Sequence, residues 1–220
     1  MSSPYLVATQ LAHAFDYPLY REVSLAIGPS ESVAVMGRSG SGKSTLLHTL
    51  AGLIEPLEGK VELMGRDLYR ISESEKEILR RNQTGIVFQQ HYLFKGMTGR
   101  ENVEIAAMLA RQEIEETLFE SLEIDTVIDQ KVSELSGGQQ QRVSLARVLS
   151  KKPRVIFADE PTGNLDLETS ELVMRVLLDY VNRHEAALFM VTHDPLIARK
   201  CNRIYLLEGE HLLPYESTSS

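Results

Sequence analysis

The sequence predicts an α/β fold in which the strands of a doubly wound, mainly parallel sheet alternate with helices. Short, uniformly apolar runs at Val155–Ala158 and Ala187–Thr192 indicate buried parallel strands. Between them, Glu168–Arg183 repeats its apolar residues at helical spacing, so that they share one face. A glycine-rich loop follows a third apolar run, Ser32–Met36, and leads into a helix that starts near Lys43. In folds of this class, ligands bind at the carboxyl ends of the strands.

Two regions depart from this alternation of strands and helices. Near the amino terminus, Tyr5–Gln10 and Val23–Ile27 have the pattern of antiparallel strands, whereas Thr98 to about Ser133 is rich in helical patterns and has no strand pattern. We therefore predict one domain with an inserted helical lobe. This single domain covers 1–220. Its predicted parts are an antiparallel β part at about 1–30, a core at 31–90 and 136–210, and the lobe at about 91–135.

The composition narrows the classes of function. The chain has 220 residues, of which 43% are hydrophobic, so it can bury a substantial core. Lys and Arg total 23 against 31 Asp and Glu, and this net charge of -8 argues against a nucleic-acid partner. The single Cys201 cannot form an internal disulfide, which fits a reducing cytosol. No apolar run approaches the ~18 residues of a membrane span, so we expect any membrane to be reached through a partner protein.

The glycine-rich loop has the spacing of a phosphate-binding loop. It consists of Gly37, Arg38, Ser39, Gly40, Ser41, Gly42, Lys43 and Ser44, which fits G-x-x-x-x-G-K-[ST] between a strand and a helix. Glycines allow backbone N–H groups to close around phosphate oxygens, and the following helix adds positive potential. In this pattern Lys43 reaches the β- and γ-phosphates and Ser44 ligates Mg²⁺. The loop therefore predicts a site for ATP and Mg²⁺, with a plain glycine-rich turn as the structural alternative.

Two acidic residues, Asp159 and Glu160, follow the apolar run Val155–Ala158. At the end of a strand beside a phosphate loop, Asp159 suits a contact with Mg²⁺ and its water, and Glu160 suits a general base that activates water. Taken alone, such a pair is more often a solvated loop or a helix cap. The phosphate loop in the same chain favours the catalytic interpretation.

A second candidate anion site starts at Ser136, which is followed by Gly137, Gly138 and Gln139. A helical pattern begins here, so Ser136 can be interpreted simply as a helix N-cap. The bare backbone and the hydroxyl at a helix N-terminus would also suit an anion. Because one nucleotide does not need two such sites on one chain, we predict that two chains meet head to tail and that both contact each nucleotide.

These motifs and their order resemble the nucleotide-binding subunits of ABC transporters over nearly the whole chain. Gly37–Ser44 is similar to the Walker A motif of that family, Leu135–Gln139 to its signature motif and Val155–Glu160 to its Walker B motif. The resemblance implies a P-loop NTPase (RecA-like) core and an ATPase activity. It also implies an ATP-dependent homodimer that drives integral membrane permease subunits, as a peripheral protein on the cytoplasmic face of the inner membrane.

The resemblance also assigns roles to residues outside these three motifs. Gln89 matches the glutamine that touches Mg²⁺ and faces the membrane partner. His193 matches the switch histidine that contacts the γ-phosphate. Asp166, in the run Asn164–Asp166, matches the loop that crosses the dimer interface.

An aromatic residue is expected to stack on the adenine ring. Phe15 lies 22 residues before Gly37, about where the family has this aromatic, and is our candidate. Tyr17 and Tyr20 are near and remain alternatives. At the other end of the nucleotide, Thr45 is expected to add a phosphate or helix-start contact.

Within the family, Ala158–Asp166 and Gln89–Phe94 resemble the ATPases of lipoprotein release, macrolide export and cell division. This resemblance implies a task such as lipoprotein release from the inner membrane. A cell-division regulator and a soluble ATPase of iron–sulfur assembly are the alternatives. The stretch from Gln89 to Ser136 is shorter than in lipoprotein-release subunits, and Val132 stands where a proline is common. Both departures lie in the helical lobe, so they bear on the cargo and not on the ATPase.

The run after Gln89 predicts where the membrane subunit docks. Tyr92 and Leu93 are the candidates for an exposed groove that takes a short helix of the partner. In the alternative interpretation, Leu93 and Phe94 are buried between the lobe and the core.

Overall fold

The computed structural model describes residues 3–163 and 165–215. In chain order the strands are Leu6–Ala14 (β1), Pro18–Ile27 (β2), Glu31–Met36 (β3), Glu58–Leu63 (β4), Arg66–Asp67 (β5), Thr84–Val87 (β6), Val155–Asp159 (β7), Ala187–Val191 (β8), Arg203–Glu208 (β9) and His211–Pro214 (β10). The helices are Lys43–Leu50 (α1), Glu73–Asn82 (α2), Gly99–Ala110 (α3), Thr117–Ser121 (α4), Gly137–Leu149 (α5), Leu167–Arg183 (α6) and Pro195–Ala198 (α7), with a 3₁₀ helix at Val132–Glu134. Within these described ranges, we find no helix of the length and apolarity that a membrane span requires.

The first sheet is antiparallel and has the spatial order β2-β1-β4-β5. Its centre is β1, which pairs with β2 on one side and with β4 on the other. The antiparallel part therefore extends beyond residues 1–30, because β4 and β5 come from the stretch that the sequence assigned to the core. Only Val61 and Leu63 of β4 are buried, so its sequence gives a weak strand signal, and its partner β1 lies far earlier in the chain.

The second sheet has six strands in the order β10-β9-β3-β8-β7-β6. All of its pairings are parallel except that of β10 with β9. Neighbouring residues of β3 face opposite cores: Val33 and Val35 pack with α1 and the antiparallel sheet, whereas Ala34 and Met36 pack with α5 and α6. Because both faces are covered, the central strands are continuously apolar. The predicted α/β fold is confirmed.

The helical lobe contains α3, α4 and the 3₁₀ helix. Thr98 and Glu101 form a capping box at the start of α3, in which each side chain accepts a hydrogen bond from the backbone N–H of the other. Arg100 then joins three segments of the lobe, because its guanidinium donates to Glu116 and to Asp129, both at 2.7 Å. Hydrogen bonds between its own segments therefore hold the lobe together next to the six-stranded sheet.

Candidate functional site

The phosphate loop lies between the end of β3 and the start of α1. Its last glycine, Gly42, has φ 93°, a left-handed conformation that glycine adopts without strain. A Cβ atom at this position would lie only 3.0 Å from the Cβ of Leu19 in β2. Gly42 is also the N-cap of α1, and no side chain caps this helix. The first N–H groups of α1 therefore have no side-chain acceptor and face the loop.

Lys43 is buried at the centre of the loop. Its Nζ donates hydrogen bonds to the carbonyl oxygens of Gly37 and Arg38, both at 2.9 Å. Only 8% of the residue is exposed. These two acceptors are neutral, so phosphate oxygens, which carry charge, would make stronger hydrogen bonds to the same ammonium group.

The loop opens onto a cavity of about 550 Å³, a size within the usual range for small-molecule sites. It is lined by Phe15, Tyr17, Leu19, Ser39, Gly40, Gly42, Lys43, Ser44, Thr45, Gln89, Glu160 and His193. The fold thus brings together residues from distant parts of the chain that the sequence singled out one by one. Leu19 is the lining residue that sequence reasoning missed, because one leucine in a strand carries no functional signal.

The three candidate aromatic residues differ in their exposure. Phe15 and Tyr17 are 63% and 58% exposed and both line the cavity. Tyr20 is buried, and its hydroxyl is 2.8 Å from that of Thr49. Burial raises the pKa of Tyr20 to about 12. Tyr20 is therefore part of the core, and the choice of a base-stacking ring lies between Phe15 and Tyr17.

Asp159 ends β7 beside the loop, and its Oδ1 accepts a hydrogen bond from Ser44 Oγ at 3.0 Å. Burial raises the pKa of this carboxyl group, and the Ser44 hydrogen bond opposes the shift. No cluster of three or more His, Cys, Asp or Glu side chains occurs within residues 3–163 and 165–215 that could hold a metal alone. A hydroxyl and a carboxylate beside a phosphate loop fit Mg²⁺, which takes few protein oxygens and completes its shell with phosphates and water.

Glu160 and His193 contact each other where both line the cavity. The Oε2 of Glu160 lies 2.9 Å from the Nδ1 of His193. Glu160 has φ 48°, and its N–H donates to the carbonyl of Val191 at 3.0 Å, so β8 holds this left-handed backbone in place. The Glu160 side chain is 13% exposed and that of His193 is 72% exposed. The imidazole can therefore turn away without disturbing the core, whereas the carboxylate is fixed.

The second candidate anion site does not line this cavity. Ser136 is the N-cap of α5, and its Oγ accepts a hydrogen bond from the N–H of Gln139 at 3.3 Å. In return, Gln139 Oε1 accepts one from the N–H of Ser136 at 2.8 Å. A Cβ atom added at Gly137 would meet open space. One added at Gly138 would lie nearest to Thr169 of α6 and to Leu165, which precedes that helix. The two predicted anion sites of the chain are thus separate.

Asp166 also lies outside the cavity. It is the N-cap of α6, and its carboxylate accepts hydrogen bonds from the N–H of Thr169 at 2.9 Å and from its hydroxyl at 2.7 Å. These hydrogen bonds lower the pKa of Asp166. Asn164, two positions earlier in the same predicted loop, lies outside the described residues.

Comparison with known proteins places these motifs in a family context. A family model described as "ABC transporter" matches residues 20–163. The macrolide export ATP-binding/permease protein MacB of Marinobacter nauticus is 43% identical over 200 residues, covering 88% of this chain and 31% of that protein. The lipoprotein-releasing system ATP-binding protein LolD of Xanthomonas campestris pv. campestris is 38% identical over 193 residues, covering 85% of this chain and 81% of that protein. The chain thus spans less than a third of MacB and most of LolD.

One similar solved structure is described as the dimeric structure of a post-hydrolysis state of the ATP-binding cassette MJ0796 bound to ADP and Pi. It superposes with a TM-score of 0.86 at 31% sequence identity, and the match covers 98% of this chain and 100% of that one. The likeness therefore includes both sheets and the helical lobe.

Proposed function

Because the chain belongs to the ABC transporter family, in which it is an ATPase, we propose that two copies of it close around ATP and Mg²⁺ and drive an integral membrane permease. The observation that carries this proposal is the single cavity at which the phosphate loop, Gln89, Glu160 and His193 meet. A site for binding alone would not need a fixed carboxylate beside the phosphate loop. This cavity has the parts for both binding and hydrolysis.

The phosphate loop binds the triphosphate in this proposal. Lys43 exchanges its two carbonyl acceptors for β- and γ-phosphate oxygens, and the N–H groups at the start of α1 donate further hydrogen bonds to phosphate oxygens. Phe15 stacks on the adenine ring, because it is exposed and lines the same cavity as the phosphate loop. Thr45 lies at the phosphate end and adds a hydroxyl.

Ser44, Asp159 and Gln89 are the residues that would hold Mg²⁺. The bound ion supplies positive charge that neutralises the phosphate oxygens. Asp159 must be ionised for this task although burial raises its pKa, and the hydrogen bond from Ser44 favours the ionised form. Gln89 contributes a neutral amide oxygen, so it can join or leave the site without changing its charge.

Glu160 is the general base in this proposal. It accepts a proton from water while the water oxygen bonds to the γ-phosphorus and the bond from that phosphorus to the bridging oxygen of ADP breaks. In the structure, the Nδ1 atom of His193 contacts the Oε2 atom of Glu160. When His193 turns to the γ-phosphate, the carboxylate becomes free to accept the proton. Hydrolysis therefore depends on ligand contacts at both residues.

A second copy of the chain completes the site. The residues Ser136, Gly137, Gly138, Gln139 and Asp166 do not line their own cavity, and a partner related by a twofold axis would bring them to it. The dimeric neighbour bound to ADP and Pi supports this arrangement. ATP would then stabilise the closed dimer because it contacts both halves, and hydrolysis would release it.

We propose lipoprotein release from the inner membrane as the task, with the chain as a peripheral protein on the cytoplasmic face. Its support is the similarity to LolD over most of the length of both proteins. The permease would dock beside the Gln89 segment, where Tyr92 and Phe94 are 63% and 55% exposed. Leu93, by contrast, is half-buried against the hydrophobic core that the lobe shares with α5 and α6, so Tyr92 rather than Leu93 is available to a partner.

Replacing the base tests the proposal. Glu160→Gln should bind ATP normally, lose turnover by about 100-fold or more and accumulate as an ATP-bound dimer. Size-exclusion chromatography with ATP and Mg²⁺, together with phosphate release, measures both effects. Glu185→Gln is a matched control, because Glu185 has the same left-handed backbone at φ 50° but does not line the cavity. A Glu160→Gln protein that stays monomeric and hydrolyses ATP at the normal rate would refute the mechanism.

A further inference from the structure

His13 of β1 is a buried histidine whose ring makes no hydrogen bond. The residue is only 6% exposed. Both ring nitrogens are buried, and in the part of the chain that the structure describes neither has a hydrogen-bond partner. A neutral imidazole has one N–H donor and one acceptor, and it is costly to leave both unpaired inside a protein. An apolar side chain would fill this place at a lower cost, so packing alone does not explain His13.

Two aromatic rings contact the imidazole of His13. The ring of Tyr20 in β2 is stacked with it, with the ring centroids 6.1 Å apart and the planes at 27°. The ring of Phe15 meets it edge to face, with the centroids 4.9 Å apart and the planes at 85°. Both separations lie in the range in which aromatic rings attract each other. His13 therefore lies between a ring of the core and a ring of the cavity wall.

Tyr20 is fixed to the helix that follows the phosphate loop. Its hydroxyl lies 2.8 Å from that of Thr49 in α1. A Cβ atom at Gly42, the N-cap of α1, would lie 3.6 Å from the Cδ1 atom of the Tyr20 ring. The rings of Tyr20, His13 and Phe15 therefore form a continuous row from α1 to the cavity at the phosphate loop.

Phe15 lies at the exposed end of this row. Its side chain is 63% exposed, and its N–H donates to the carbonyl of Tyr17 at 3.2 Å in the turn between β1 and β2. Among the aromatic pairs of the described residues, Phe15 occurs in one, with His13. An exposed ring on a short turn exchanges between rotamers unless a neighbour restricts it. The contact with His13 is such a restriction.

Resting on the proposed function, in which Phe15 stacks on the adenine, we infer that His13 is a positioning residue for nucleotide binding. It does not line the cavity itself. Its ring holds that of Phe15 at a set distance from the phosphate loop, so one ligand can contact both without first ordering the aromatic side chain. A ligand with a base and phosphates gains from this arrangement, whereas inorganic triphosphate does not. His13 thus adds to the selectivity for nucleotides over free polyphosphate.

Variants of His13 with and without a ring test this inference. His13→Leu removes the ring but keeps a buried side chain, so the dissociation constant for ATP should rise about three- to tenfold. The constant for inorganic triphosphate should not change. His13→Phe restores a ring without its nitrogens and should bring ATP binding back to within about twofold of the unchanged chain. Isothermal titration of the full chain with each ligand measures these constants.

The effect of His13 should act through Phe15. In a chain that already carries Phe15→Ala, His13→Leu should not weaken ATP binding further, because the ring that it positions is gone. The control is His184→Leu, which should leave both dissociation constants unchanged. His184 also stacks on a buried tyrosine, Tyr180 at 4.3 Å, but neither residue lines the cavity at the phosphate loop.

A thermal melt shows whether each variant is folded, and His13→Met is a second variant without a ring if His13→Leu is not. An unchanged dissociation constant for ATP overturns the inference. An equal loss for ATP and inorganic triphosphate also overturns it, because His13 would then only support the fold around the loop. A further loss of ATP binding in the double variant with Phe15→Ala has the same consequence.

Failure of the proposed function would look different. If Phe15→Ala alone leaves ATP binding unchanged, Phe15 is not the stacking ring, and the inference falls with that assignment. If Phe15→Ala weakens ATP binding and His13→Leu does not, only the inference fails. The ATP-dependent dimer of Glu160→Gln tests the rest of the proposed function independently of both residues.

Discussion

The N-termini of α1 and α5 are similar in sequence but differ in how their N–H groups are satisfied. Gly42 precedes α1 and Ser44 lies in its first turn, whereas Ser136 precedes α5 and Gly137 is its first residue. At α1, Gly42 is the N-cap and no side chain accepts from the helix. At α5, Ser136 and Gln139 satisfy each other in a capping box. The first end is prepared for phosphate oxygens, whereas the second already has its own acceptors, so it should bind nucleotide only when the first end holds it in place.

The largest expected effect comes from blocking the α5 end. Ser136→Arg should leave ATP binding to the monomer unchanged but lower turnover by about 100- to 1000-fold, because the partner chain can no longer approach the γ-phosphate. Nucleotide titration by fluorescence and phosphate release would measure the two effects.

The matched control for this prediction is Ser133→Arg, which adds the same side chain at an exposed position one turn earlier. If Ser136→Arg weakened ATP binding by the monomer, both helix ends would serve the same site and the comparison would fail.

The α1 end should show the opposite pattern. Lys43→Ala should reduce the ATP affinity of the monomer by roughly 10- to 100-fold, because it removes the buried cation of the loop. Arg38→Ala is the control, since Arg38 lies in the same loop but is exposed. Isothermal titration with ATP would compare them, and an equal loss in both would mean that net charge and not position sets the affinity.

A smaller effect is expected at the base end of the nucleotide. Phe15→Ala should lower the affinity for ATP about tenfold, and Tyr17→Ala should lower it less. The affinity for inorganic triphosphate should be unchanged in both, because that ligand has no ring to stack. A larger loss for Tyr17→Ala would assign the stacking role to Tyr17.

The smallest effect concerns stability without nucleotide. Burial raises the pKa of Asp159 in the folded chain, so the fold favours its neutral form. The stabilisation from this group is present below the unfolded value of 3.8 and is lost as the pH rises through the raised folded value. At neutral pH, the free energy of unfolding of Asp159→Asn should therefore equal that of the unchanged chain or exceed it by up to about 1 kcal/mol.

Chemical denaturation at neutral and at low pH would measure this difference, which should vanish at low pH. In the same variant, ATP with Mg²⁺ should no longer raise the free energy of unfolding. A variant that is less stable at neutral pH would mean that the hydrogen bond from Ser44 outweighs the cost of burial.

The sequence predicted the α/β core and singled out most of the residues that line the cavity at the phosphate loop, because their signals are local. The loop Gly37–Ser44 and the run Val155–Glu160 each combine a strand and its chemistry within a few residues. By contrast, β4 and β5 were missed because their place in the antiparallel sheet depends on β1. The choice among Phe15, Tyr17 and Tyr20 was open for the same reason, since only the contact with Thr49 shows that Tyr20 belongs to the core.

The contact between Glu160 and His193 also lay beyond the sequence. Both residues were named as candidates, but their separation along the chain gave no sign that they touch.

The central position of β3 has a consequence for synthesis of the protein. This strand carries the phosphate loop, and its two partners among the described strands are β8 and β9, as Glu31 pairs with Ala187 and Val33 with Arg203. On the ribosome, the loop emerges well before β8 and β9, the strands with which β3 pairs. A nascent chain that holds the entire glycine-rich motif but not yet β8 and β9 is therefore expected to bind ATP poorly, and its apolar β3 stays unpaired until those strands are made.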